Sequence, residues 1–166
     1  MKKTYKLTLS ALFCTVALIL SYIESLIPPF FAVPGIKLGL SNIISVYLLY
    51  TLGFKYAVVV ALLRVALSSL LFGTTLTLAY SLTGALVSLL LMYLFKKLSL
   101  FSEVGVSIIG GIGHNAAQIA VAAIIMQTSG IIYYLPPLLI SGTVTGALIG
   151  IAGALLIKKL KFKERF

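Results

Sequence analysis

The stretch "GGIGHNAAQI", residues 110–119, poses the question that the rest of the chain must answer. It carries the single histidine, His114, with Asn115 and Gln118 close behind, in a run otherwise made of Gly, Ala and Ile. The surrounding run, 104–127, is long enough to cross a bilayer, which takes about 20 apolar residues. Three hydrogen-bonding side chains at membrane depth are either packing contacts or a binding site. Which one depends on the protein around them.

Composition narrows the class. Of 166 residues, 61% are hydrophobic and 10% charged, and the mean hydropathy is +1.18. Soluble domains carry about 25% charged residues. A chain this poor in charge cannot cover a water-facing surface, so the expectation is an all-α integral membrane protein. The apolar material runs the whole length, which predicts one transmembrane domain over 1–166. The acidic residues are Glu24, Glu103 and Glu164, with no Asp. Chemistry that needs clustered carboxylates, such as holding magnesium on a diphosphate, is excluded. The single cysteine, Cys14, excludes an internal disulfide and any cysteine-based metal or iron–sulfur site. No catalytic constellation, metal site or resident cofactor is expected.

Long apolar runs broken by Pro, Gly and Lys predict six spans, at about 7–27, 38–52, 54–71, 76–95, 104–127 and 137–157. Lys2, Lys3 and Lys6 before the first run resemble the start of a signal peptide. The run is of full spanning length, however, and lacks a small-residue cleavage site before Pro28 and Pro29, so it is read as a transmembrane helix. The net charge of +10 is an orientation signal rather than a nucleic-acid signature. Lys2, Lys3, Lys6, Lys55, Lys96, Lys97, Lys158, Lys159, Lys161, Lys163 and Arg165 all fall at alternate ends of the six runs, against Lys37 alone on the other side. The positive-inside rule places both termini in the cytoplasm, with the basic tail against lipid headgroups. The outer face then holds "PPFFAVPGIK" (28–37), "FGTT" (72–75) and "TSGIIYYLPP" (128–137).

Small residues mark packing faces. Gly142, Gly146 and Gly150 recur every four residues and invite a neighbouring backbone to approach closely. In the first span Ser10 pairs with Cys14, Ala11 with Thr15 and Ala17 with Ser21, rows on which another helix could dock.

Ionisable and amide side chains at membrane depth are candidates for a site. Arg64 lies mid-span and must face the bundle interior. Glu24, near the outer end of the first span, offers it an ion pair; alternatively Arg64 and Lys37 form an electropositive cavity for an acidic ligand. His114 and Gln118 are four apart and Asn115 and Gln118 three apart, so they share one patch. Gly110, Gly111 and Gly113 just before them predict a weakened, half-broken helix of the kind that builds transporter sites. Asn42, at the start of the second span, is a supporting candidate.

Three stretches, "PGIKLGLSNI" (34–43), "LLRVALSSLLFG" (62–73) and "GGIGHNAAQI", resemble the Gx transporter family, labelled heptaprenyl diphosphate synthase component I. That family is similar in topology to the substrate-binding S components of energy-coupling factor (ECF) transporters. The resemblance implies a six-helix bundle in the bacterial cytoplasmic membrane with an outward pocket. It also implies a small-residue face on the first helix that docks a transmembrane coupling subunit working with ATPases. Ser10, Ala11, Cys14 and Thr15 stand where that face would be, without the alanines four apart of the S-component pattern. Relatives are also associated with flavin- and quinone-dependent electron transfer, which implies flavoprotein or quinone-enzyme partners as an alternative. A third alternative is a non-catalytic membrane partner of a prenyl diphosphate synthase. One His and one Cys cannot ligate a bis-His haem or an iron–sulfur cluster, and no ATP-binding loop is present. The expectation is a substrate-binding subunit that captures a small ligand, anionic or related to isoprenoids, quinones or flavins, with Arg64, Lys37, His114, Asn115, Gln118, Asn42 and Glu24 around it.

Overall fold

A computed structural model describes residues 3–27, 39–127 and 129–160. Lys37, with the rest of the 28–37 loop, and the basic tail from 161 lie outside the described residues. Six α-helices and one 3₁₀ segment follow in chain order: α1 (Lys3–Leu26), α2 (Asn42–Thr51), α3 (Phe54–Phe72), α4 (Thr75–Leu98), α5 (Glu103–Met126), the 3₁₀ segment (Ser129–Tyr134) and α6 (Leu135–Lys159). All of them except α2 and the 3₁₀ segment are long and apolar enough to cross a membrane. The chain is a multi-pass helical membrane protein.

The exception is instructive. The apolar run at 38–52 becomes a helix of 10 residues, about 15 Å long against a hydrocarbon core of about 30 Å. Gly39 takes φ +70°, a left-handed conformation that glycine adopts without steric cost. The next amides, of Asn42, Ile43 and Ile44, donate to the carbonyls of Gly39, Leu40 and Ser41 in tight turns. The chain thus enters α2 part-way through the bundle, and α2 starts with its polar residues. At its other end Gly53, with φ +97°, turns directly into α3. The turn between α3 and α4 is fixed by a capping box, in which Thr74 and Thr77 exchange side chain-to-backbone hydrogen bonds.

The helices close into a ring. α3 packs on α1, α2 and α4; α5 lies between α4 and α6; α2 returns to α6. The α5–α6 seam is backbone against backbone. A Cβ on Gly142 would lie 2.8 Å from the Gly111 carbonyl oxygen, one on Gly146 2.8 Å from Ile108 Cα, and one on Gly150 2.7 Å from Val104 Cα. Ser107 Oγ donates to the Gly146 carbonyl across the same seam at 2.8 Å. The glycines of α5 do not break it, contrary to the expectation of a half-broken helix: α5 is continuous over 24 residues. Glycine costs a helix about 1 kcal/mol per residue, and here close packing on both flanks offsets that cost. Gly111 meets Gly142 of α6, while Gly110 meets Met92 of α4, where a Cβ would come within 2.6 Å. The short element is α2 instead.

The described lysines, Lys3, Lys6, Lys55, Lys96, Lys97, Lys158 and Lys159, all stand at one end of the ring, because successive helices, the short α2 included, run in opposite directions. Lys96 and Lys97 occupy the last turn of α4, and Lys158 and Lys159 that of α6, where cations complement the helix dipole. This end is filled. Tyr47 is fully buried, stacks on Phe13 at 4.7 Å and donates its hydroxyl to the Leu160 carbonyl at 3.1 Å. Lys96 Nζ donates to the Leu49 carbonyl of α2 at 2.7 Å and sits over the Tyr50 ring at 4.7 Å. Large apolar side chains such as Leu70, Leu71, Ile124 and Ile140 point outward, as a bilayer as solvent requires.

Candidate functional site

The opposite end encloses a cavity of about 160 Å³. Its wall is built by a repeated device, a pair of polar side chains four residues apart, which a helix presents on one face. α1 supplies Ser21 and Ser25, α3 Arg64 and Ser68, α4 Thr77 and Ser81, and α5 His114 and Gln118. The start of α2 adds Ser41 and Asn42, and α6 adds Thr145. Of the seven candidate ligand residues, six line this one cavity: Glu24, Asn42, Arg64, His114, Asn115 and Gln118. The seventh, Lys37, lies outside the described residues.

Arg64 is the centre of the arrangement. Its guanidinium donates to Ser41 Oγ at 2.7 Å, to Asn42 Oδ1 at 3.4 Å and to Ser21 Oγ at 3.5 Å. Its Nε is buried with no hydrogen-bond partner among the described residues. A cation at the centre of a membrane helix costs roughly 2.5–3.5 kcal/mol on insertion scales, so neutral hydroxyls and an amide serve here as its solvent. Glu24 accepts a hydrogen bond from the Gly39 backbone N–H and attracts Arg64 electrostatically across the cavity. The N-terminus of the short helix α2 also faces this space through Ser41 and Asn42, adding the positive end of a helix dipole.

The patch on α5 divides its labour. The His114 ring lies against Gly84 of α4, where a Cβ would come within 2.9 Å of Cε1 and 3.1 Å of Gln118 Cγ. Gly84 makes the room these two side chains occupy. Asn115 is committed elsewhere: its Nδ2 donates to the Leu138 carbonyl at 2.7 Å and would be 2.9 Å from a Cβ on Gly142. It straps α5 to α6 at the cavity edge.

The small-residue set on α1 does not share one face. Ser10 and Cys14 are buried in the core, whereas Ala11 and Thr15 are exposed. The rows 10–14 and 11–15 are one residue apart, about 100° around the helix, and only the first is turned into the core. The glycines Gly142, Gly146 and Gly150 lie in the α5–α6 seam. Ser41, Ser68, Ser81 and Thr77 were not among the sequence candidates. The four-residue spacing from Arg64 to Ser68 and from Thr77 to Ser81 is the signal that marks them.

Fold and cavity together define a class: a multi-pass helical bundle holding a buried arginine in a polar chamber opposite its basic end. The same fold occurs in the solved structure of the S component of a bacterial ECF transporter, with a TM-score of 0.78 at 20% identity, covering 99% of this chain and 100% of that one. No curated protein matches the chain. The family model for heptaprenyl diphosphate synthase component I matches residues 13–156, and the chain belongs to that family.

Proposed function

We propose that this chain is the ligand-binding membrane subunit of a multi-subunit uptake system, spanning the bacterial cytoplasmic membrane six times with both termini in the cytoplasm. It captures a small ligand with an anionic or oxygen-rich group from the outer face. The observation that carries this reading is the cavity itself: polar pairs on four helices converge around Arg64 at the end of the ring away from the lysines. A ligand carboxylate or phosphate would replace neutral acceptors of Arg64 with charge-assisted hydrogen bonds, which are about twice as strong. Gln118 and His114 would orient it. Lys37, two positions before the cavity residue Gly39 in sequence, is the second cation we assign to the ligand's charge.

Transport needs energy that this chain has no nucleotide-binding loop to supply. The partners are a transmembrane coupling subunit and its ATPases, and the exposed row of Thr4, Thr8, Ala11 and Thr15 on α1 is where the coupling subunit docks. Ser10 and Cys14 act on that surface only through packing. No catalytic step is assigned to the chain, since three acidic residues scattered at Glu24, Glu103 and Glu164 cannot hold metal on a diphosphate. An affinity pull-down of the tagged protein from its native membrane, read by mass spectrometry, tests the assignment. Transporter ATPases and a membrane coupling subunit are expected. Recovery of flavoproteins or quinone enzymes alone would replace uptake by electron transfer.

A further inference from the structure

A cavity of about 160 Å³ is small beside the roughly 300–1,000 Å³ of pockets that enclose a drug-sized ligand. A second space of about 510 Å³ lies at the same end of the ring, between α4, α5, the 3₁₀ segment and α6. Thr77, Ser81 and Gln118 line both, so the two spaces are neighbours across these side chains. Past them the chemistry changes: Ala122, Met126, Ile131, Leu138 and the Tyr134 ring make an apolar wall. One face of α5 shows the whole gradient at four-residue steps, from His114 and Gln118 in or at the polar chamber to Ala122 and Met126 in the apolar one.

From this gradient we infer that the ligand is an amphiphile, with an anionic head in the Arg64 chamber and an apolar tail running past Gln118 into the groove between α4, α5 and α6. The inference rests on the capture reading above and specifies its ligand. The stretch from Gln118 to Met126 rises about 12 Å along α5, which sets the tail length as that of a short alkyl or prenyl-type chain. Adjacency to the polar chamber across Gln118 argues for the tail of a captured molecule rather than a bilayer acyl chain. A bilayer lipid filling only the groove would leave Arg64 with neutral hydrogen-bond acceptors alone.

The test uses purified protein in lipid nanodiscs and a series of alkyl monophosphates from ethyl to octyl, with affinities measured by calorimetry. Each added methylene should strengthen binding about fourfold until the groove is full. Ala122→Trp should flatten that dependence, and Ile131→Trp, on the 3₁₀ segment, serves as a second obstruction should the first variant fail to fold. Arg64→Ala should weaken every member of the series together. Equal affinities along the series would overturn the amphiphile and leave ligand capture standing. A gain that survives both tryptophans would place the tail in the bilayer and overturn it too. If no member binds, both the amphiphile and the capture of an anionic ligand fall.

Discussion

The two ends of this bundle are made from the same helices and solve opposite problems. At the lysine end, buried and half-buried polar groups are spent on closing the structure: Tyr47 donates to the Leu160 carbonyl, and Lys96 to the Leu49 carbonyl. At the other end, Arg64 is given only hydroxyl and amide acceptors, and its Nε has no hydrogen-bond partner among the described residues. Buried polar groups without partners are costly, and their retention calls for a reason. The filled end is built for stability; in the proposed reading, ligand capture at the hollow end offsets the cost.

The comparison can be broken most sharply by orientation. In a Cys14→Ser background, Thr75→Cys at the hollow end should react with a membrane-impermeant maleimide in intact cells. Lys97→Cys at the lysine end should react only after the membrane is opened. The reverse pattern would put the chamber on the cytoplasmic side. Next in size is Tyr47→Ala, which removes a fully buried ring from the filled end and should cost about 3 kcal/mol of stability. Thermal unfolding in detergent reads that loss, while the folded fraction keeps its affinity for ligand. The smallest effect expected is from Lys96→Met, which leaves the Leu49 carbonyl uncapped and should cost about 1 kcal/mol by the same measurement. A loss of ligand binding in either variant at the lysine end would mean that the two ends are not separable.

What the sequence made legible follows from the same contrast. Membrane class and helix number came from the long apolar runs, because a bilayer enforces length and composition. The cavity residues Arg64, His114 and Gln118 were visible because polar groups are rare at that depth. The serines were less so: Ser41, Ser68 and Ser81 are tolerated in any helix, and only their spacing from other polar residues marks them. The continuity of α5 was hidden, because a glycine that weakens a helix and one that seats a neighbour look alike until the neighbour is known. Gly111 against Gly142 settles that case. The splitting of Ser10 and Cys14 from Ala11 and Thr15 was hidden for a similar reason, since a repeat of four does not reveal which row the next helix covers.

Arg64→Ala bears most directly on the central claim that the hollow end is a ligand chamber. The measurement is the small-molecule content released on denaturing wild-type and variant protein, each purified from native membrane in nanodiscs and checked for a single monodisperse species. The account predicts an acidic, tail-bearing compound at close to one per chain in the wild type and its loss in a variant that remains folded. Equal content in both would show that the compound is not held by the Arg64 chamber, and a variant that fails to fold would show that Arg64 holds the bundle together instead.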